Sequence, residues 1–411
     1  MKKLTYIDLF AGCGGLSEGF MQSGYYEGLA HVEWEKPMVD TLRNRLVNKW
    51  EHSPIDALKH VIHFDIQKSE ELIYGNWSDE SINIFGTTNA EIIQRGGLKE
   101  IVGKKKVDLI IGGPPCQAYS LAGRAQDKSS MKEDYRNYLF ESFVKVVDAF
   151  KPRFFVFENV PGLLSAKPGD KFVTERIYEA FDKIGYEIRT PENLKKSLFF
   201  ASDFGVPQKR NRIIIIGVNK YNNDQLEDIY SSLEQLKTTE IATVEDALKD
   251  LPIIKPLEIE DKKISHKVID NYENSIKNIE PRFHNRRDIH IFKNWVAQNM
   301  NKKPMQERID FYNSLMNKNS KHAKYRNLEW DKPSPTIVAH LHKDGLMFIH
   351  PDEEQARSIT VREAARLQSF PDDFAFISSM GYNYKMIGNA VPVLFAQKIA
   401  EGIYNYVKKV K

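Results

Sequence analysis

The sequence predicts an α/β protein with a doubly wound, mostly parallel Rossmann-like sheet and a second, smaller domain. Short apolar runs alternate with segments of helical periodicity through the first half of the chain, the pattern of parallel strands with helices on both faces. Each of the first five runs ends in a residue type suited to ligand binding or chemistry, and ligands of such sheets bind beyond the carboxyl ends of the strands. From about Asn219 the alternation stops, and order returns only near Thr360.

The first strand is expected at Leu4 to Phe10, followed by the turn Ala11-Gly12-Cys13-Gly14-Gly15 and a helix from Leu16 to Ser23 closed by Gly24. A strand, a glycine turn and a helix make a cofactor cradle, although the dinucleotide fingerprint would place a glycine where Ser17 stands. The second strand, Gly28 to Trp34, delivers Glu33 nineteen residues beyond Gly14, a spacing at which an acid can accept from ribose hydroxyls; Trp34 offers a face to a purine. Pro37 opens a helix to about Val47, and a third strand, Val61 to Ile66, brings Asp65 to its end. Residues 67–106 look polar and irregular, with one short helix near Ala90 to Gln94 and no assignable task.

The fourth strand, Val107 to Ile111, runs into Gly112-Gly113-Pro114-Pro115-Cys116-Gln117. Two glycines and two prolines stop it abruptly and display a thiol on a stiff turn, where a packing cysteine would sit within an apolar run; taken alone, Cys116 is either reactive or structural. Phe140, Phe143, Val144 and Val147 mark a core-facing helix, Phe154 to Phe157 a fifth strand ending in Glu158-Asn159-Val160, and Val173, Ile177, Phe181 and Ile184 another helix. Gln208-Lys209-Arg210-Asn211-Arg212 then leads into the strand Ile213 to Gly217.

With 411 residues, 41% hydrophobic and 28% charged, the chain has an ordinary globular composition; no apolar run reaches membrane-spanning length, and two cysteines are too few for a disulfide scaffold or a thiolate metal site. The expectation is a cytoplasmic protein without membrane or metal association. Net charge is only +3, but residues 281–330 hold eleven Lys or Arg against four Asp or Glu, interleaved with Phe283, Phe292, Trp295, Phe311, Tyr312, Tyr325 and Trp330. That mixture suits a nucleic-acid surface, with a charged face over an ordinary small core as the alternative.

Taken in order, Asp8-Leu9-Phe10-Ala11-Gly12-Cys13-Gly14-Gly15, Gly113-Pro114-Pro115-Cys116-Gln117 with Ser120, Glu158-Asn159-Val160, Gln208-Lys209-Arg210-Asn211-Arg212, Arg366-Leu367-Gln368-Ser369-Phe370-Pro371 and Gly388-Asn389-Ala390-Val391-Pro392 resemble the motifs of bacterial-type DNA (cytosine-5)-methyltransferases. The resemblance implies a methyltransferase sheet and cofactor-binding domain over 1–219, a target-recognition domain over 220–335, and a segment, 336–411, that returns to complete the catalytic domain. It implies S-adenosyl-L-methionine as cofactor and S-adenosyl-L-homocysteine as product. Phe10, Gly12 and Gly14 would line the cofactor, Glu33 hold its ribose, Trp34 lie against the adenine, Asp65 meet the adenine amine, and Asn389 close the pocket. A sulfonium cofactor carries no pyrophosphate and needs no third glycine. Cys116 would be the nucleophile, Glu158 the partner of the cytosine ring nitrogen, and Arg210 and Arg212 the groups near the bound cytosine and its backbone. Duplex DNA is the implied partner, bound by a monomer, with a cognate restriction endonuclease as a companion.

The chemistry requires these residue types. Carbon 5 of cytosine is too electron-poor to attack a methyl donor until a thiolate adds at carbon 6, and the target base must first leave the helical stack. Rival readings are a tRNA cytosine methyltransferase, a DNA-binding regulator that keeps the fold without turnover, and a nicotinamide dehydrogenase. The long basic region, the intact Cys116, Glu158 and Arg212, and the missing third glycine weigh against them in turn.

Overall fold

The computed structural model describes residues 2–115, 139–258, 263–269, 276–343 and 345–410. Cys116 and the polar loop 124–137 lie outside the described residues. The chain divides into two compact units, one of Met1–Gly205, Asn211–Thr239 and Ala390–Lys411, the other of Val206–Arg210 and Glu240–Asn389.

The first unit opens with β1 (Leu4–Leu9), α1 (Gly15–Gln22), β2 (Tyr26–Glu33), α2 (Lys36–Asn48), α3 (Pro54–His60) and β3 (Val61–His63). The interval 67–106, expected to be irregular, instead contains α4 (Ser69–Tyr74), α5 (Asp79–Phe85) and α6 (Glu91–Val102). Trp77 stacks on Phe64 at a centroid distance of 4.2 Å, and Leu72, Ile73, Phe85, Ile93 and Leu98 join the same core. Two glycines allow α4 and α6 to touch: a Cβ on Gly75 would stand 2.2 Å from the Arg95 carbonyl, and one on Gly97 2.5 Å from the main chain of Ile73. Gly97, at φ +61°, also kinks α6.

There follow β4 (Leu109–Gly112), α7 (Leu139–Phe150), β5 (Phe154–Asn159), α8 (Val173–Lys183), β6 (Tyr186–Glu187), β7 (Leu198–Phe200), β8 (Asn211–Asn219) and α9 (Leu226–Glu234). The sheet order is β3-β2-β1-β4-β5-β8-β6, with β7 also paired to β8. The first five are mutually parallel, so their carboxyl ends share one rim; β8 runs antiparallel to β5. Ile213 to Ile216 are all fully buried, so the middle of β8 is apolar on both faces. Its glycine lies opposite Phe155, where a Cβ would come within 2.0 Å of the ring. A C-terminal helix, Val393–Lys409, closes this unit against α1, with a Cβ on Gly19 standing only 2.5 Å from Val393 O.

The second unit contains α10 (Val244–Leu248), a two-stranded ribbon of β9 (Ile254–Pro256) and β10 (His266–Val268), α11 (Arg286–Ala297), α12 (Met305–Met316), α13 (Val361–Leu367) and α14 (Met380–Asn389). These units do not break at the expected boundaries of 219 and 335. Residues 336–389 pack within the second unit because 207–210 bond to them and to their neighbours: Lys209 N donates to Ser334 O (2.8 Å), and the Arg210 guanidinium to Ile337 O and Gly388 O (2.9 Å each). Phe292, Trp295, Tyr312 and Tyr325 are buried together, so these aromatics of the basic stretch form a local core and leave the lysines and arginines to face outward.

Candidate active site

Because β5 and β8 are antiparallel, the start of β8 meets the end of β5 on the rim, with Glu158 opposite Ile214 and Asn159 opposite Ile213. Arg212 thereby places its Nε 2.5 Å from Glu158 Oε1, both side chains nearly buried. Its Nη1 donates to Asn211 O (2.8 Å), while Nη2 has no partner among the described residues. The Glu158 carboxylate also lies against the end of β4, since a Cβ on Gly113 would fall 2.5 Å from Oε2. Asn159, quoted in its motif but given no task, is buried and donates from Nδ2 to Pro114 O at 3.3 Å. It tethers the main chain two residues before Cys116. The arrangement can hold a planar nitrogen heterocycle, with a carboxyl group at one edge and a guanidinium donor beside it.

On the same rim the glycine turn leaves β1. Phe10, Gly12 and Gly14 all have positive φ, of 60°, 57° and 95°. A Cβ on Gly12 would meet nothing nearer than Met38 Sδ at 4.0 Å, so the space above the turn is open. Glu33 is buried and accepts Trp34 N (2.9 Å) and Glu35 N (2.8 Å) on Oε1 and Gly12 N (2.8 Å) on Oε2. Burial pushes its carboxyl up to about 6 against the pull of those three donors. Two donors fill Oε1, and one lone pair of Oε2 is left for a hydroxyl. Trp34 is 54% exposed, its carbonyl held by His63 Nε2 (2.9 Å), whose other ring nitrogen contacts Thr88 Oγ1 (2.8 Å). His63 was not singled out from the sequence. Asp65 follows β3 on this rim, partly exposed, accepting Gln67 N at 2.9 Å.

Beneath the turn, Ser17 donates to Asp8 Oδ2 (2.5 Å) and contacts His31 Nδ1 (2.8 Å), joining β1, α1 and β2. Burial raises Asp8 to about 8 and lowers His31 to about 3. Cys13 is buried and its thiol is pushed up to about 12 by desolvation, which makes it inert as a nucleophile.

The structure therefore brings Phe10, Gly12, Gly14, Glu33, Trp34, Asp65, Glu158 and Arg212 to one rim. Arg210 and Asn389 belong to the second unit. Arg210 is 1% exposed with its guanidinium on main-chain carbonyls, one of them that of Gly388, so it orders the segment carrying Asn389. Gln208 does similar work, donating to Leu367 O (3.0 Å) and accepting from Ile337 N (2.9 Å).

The model of the C-5 cytosine-specific DNA methylase family matches residues 4–405. The chain belongs to that family. The methylase is 34% identical to the type II methyltransferase M.Bpa9945I of Bacillus paralicheniformis, over 98% of this chain and 99% of that one. It is 32% identical to M1.HphI of Haemophilus parahaemolyticus, over 97% and 86% of the two chains. In fold it resembles the crystal structure of a prophage-encoded DNA modification methyltransferase from E. coli (TM-score 0.64, 23% identity, covering 99% and 100%). A weaker likeness is to S. pombe Dnmt2 methyltransferase (TM-score 0.53, 14% identity, covering all of both chains). Family and fold imply a methyl donor of the S-adenosylmethionine type. No helix among the methylase's described residues is long and apolar enough to cross a membrane.

Proposed function

We propose that this methylase transfers a methyl group to carbon 5 of cytosine within a specific duplex DNA sequence, using S-adenosyl-L-methionine and a transient covalent bond from Cys116 to an extruded base. The observation that carries this is the Glu158–Arg212 pair, held beside Gly113 on the rim that also bears the Gly12–Glu33 cradle.

The cradle suits the cofactor. The open space above Gly12, the remaining lone pair of Glu33 and the exposed indole of Trp34 would receive its methionine end, ribose and adenine, with Phe10 and Gly14 shaping the turn and Asp65 at the adenine edge. When bound, the cofactor supplies a methyl group on sulfonium sulfur and leaves as S-adenosyl-L-homocysteine.

The Cys116 thiolate adds to carbon 6 of the flipped cytosine. Glu158 shares a proton with ring nitrogen 3, which neutralises charge as the carbon–sulfur bond forms and leaves carbon 5 nucleophilic. Arg212 orients Glu158 through Nε and offers Nη2 to the exocyclic oxygen. Once carbon 5 is methylated, a base, either a held water or a side chain, takes its proton, and the electron pair left behind expels the thiolate and restores the ring. Flipping costs a few kcal/mol, which phosphate contacts from the basic second unit offset. We further assign the enzyme to a restriction-modification pair with a cognate endonuclease, because its relatives are named type II methyltransferases; that it acts as a monomer in the cytoplasm is part of the same reading.

The test is Cys116→Ala: duplex binding stays salt-sensitive, while transfer of tritiated methyl groups to DNA and trapping on 5-fluorocytosine DNA both vanish. Undiminished transfer by this variant would falsify the nucleophile assignment, and label entering tRNA in place of DNA would overturn the substrate.

A further inference from the structure

We propose that the second unit carries an anchoring cavity for a backbone phosphodiester, with Arg308, Lys321, His322 and Arg326 as its cationic and donor walls. The proposal rests on the DNA substrate proposed above and adds a site to it. The cavity, of about 430 Å³, lies between the first turn of α12 and residues 321–329. It holds more than a bare phosphate, being within the ~300–1,000 Å³ range of small-ligand sites.

Its floor is rigid without a ligand. Tyr325 is buried against Trp295 and Tyr312, at centroid distances of 5.6 and 5.4 Å. Asn301 is anchored, accepting from Trp295 Nε1 (3.0 Å) and donating to Asn327 O (2.8 Å). The charges are what lack partners. Arg308 Nε is buried with no hydrogen-bond acceptor among the described residues, and its Nη2 has only the Met305 sulfur at 3.7 Å. The Lys321 and Arg326 side chains are exposed and have no partner there either. Glu329, the one carboxylate on the lining, is already paired with Lys332 at 2.5 Å.

Other bases of this unit are neutralised or spent, while Lys302, Lys303, Lys318 and Lys324 are exposed but do not line the cavity. Lys293 pairs with Glu354 (2.8 Å), and Arg286 and Arg282 each donate to two carbonyls. Three cations left together around a preformed cavity create a local positive potential that an anion relieves, and a guanidinium fork matches two phosphate oxygens. Contacts to backbone phosphate position DNA without selecting its sequence.

The experiment uses the full chain and two duplexes, one bearing the mapped target and one scrambled, with affinity measured across a salt series. Lys321→Gln/Arg326→Gln, at exposed positions and checked by thermal melting, should weaken both duplexes equally, by on the order of tenfold, and flatten the log-log salt slope by about 1. Arg308→Lys, which keeps the charge but loses the fork, should weaken both duplexes less. Lys104→Gln/Lys183→Gln, exposed in the first unit, should leave the slope alone. An unchanged slope in the cavity variant overturns the proposal, as does a loss confined to the target duplex. Calorimetry with inorganic phosphate separates the sources: phosphate binding abolished by the double variant while duplex affinity is untouched would make this a free-anion site. Failure of the wild type to bind or methylate any duplex would sink the DNA substrate itself, a result distinct from the variant comparison.

Discussion

The two units bury charge in opposite ways. In the first, the hidden groups on the sheet are chiefly carboxyls at strand ends: Asp8 and Glu33 sit over an apolar core and are pushed upward by desolvation, to about 8 and about 6. In the second, whose described residues form a two-stranded ribbon and no larger sheet, bases are buried and bonded to main chain. His266, His284 and His350 are driven down to about 4, 3 and 4 by burial first and by neighbouring cations. Glu363, which burial alone would raise, is held near 2 by Arg357 and His350. A sheet that supplies its own backbone partners can spend polar side chains on a ligand; a loop-rich unit needs them to satisfy itself.

The largest expected effect tests the rim. Glu158→Gln keeps the hydrogen-bonding shape but cannot neutralise charge in the same way, and methyl transfer should fall about 10²- to 10⁴-fold with the melting temperature nearly unchanged; a rate within threefold of wild type would remove Glu158 from the chemistry. Next, Glu363→Gln leaves the Arg357 guanidinium buried without a counter-charge, and urea titration should register a loss of about 3–5 kcal/mol. A surface-sized effect there would mean that the ion pair does not hold the second unit together.

The comparison also has a sign in pH. The histidines of the second unit favour the folded state fully above pH 6.5, and that stabilisation is lost as pH falls through about 4. Raised carboxyls act the other way: Asp8 and Glu33 stabilise fully below about pH 4, and the contribution disappears as pH rises through about 6 and then about 8. His31, lowered to about 3 in the first unit, shares the histidine trend and blunts the contrast. Hydrogen exchange read by peptide should therefore show the second unit opening first as pH falls from 6.5 towards 4, and the β1–β2 region loosening as pH rises from about 4 to about 8. The smallest effect is Trp34→Ala, which should weaken cofactor binding by about 1 kcal/mol, close to a stacked ring's contribution, without moving the unfolding midpoint.

How much of this was legible beforehand depended on period and length. Strands β1 to β5 declared themselves as apolar runs with a marked residue at each end, and the rim followed from their being parallel. Residues 67–106 did not, because two helices of six and seven residues and a third kinked at Gly97 never sustain a 3.6-residue repeat. An apolar run carries no direction, so the reversal of β8 was invisible, and with it the reason Arg212 faces Glu158. Arg210 and Arg212 are equivalent as letters of one motif; their burial on different partners separates them. Asn159 and His63 act on carbonyls of neighbouring residues, a contact with no signature in a string of residue types.

One glycine of β8 has a reach beyond its size. Four consecutive isoleucines could slide along β5 by one place and remain in oil, so greasiness does not index the strand. Gly217 does, being the single gap into which the Phe155 ring fits. Every residue of slippage it forbids would have turned the guanidinium five places upstream to the opposite side of the sheet. The alignment of Arg212 with Glu158 is thus enforced at a distance, by an absent methyl group.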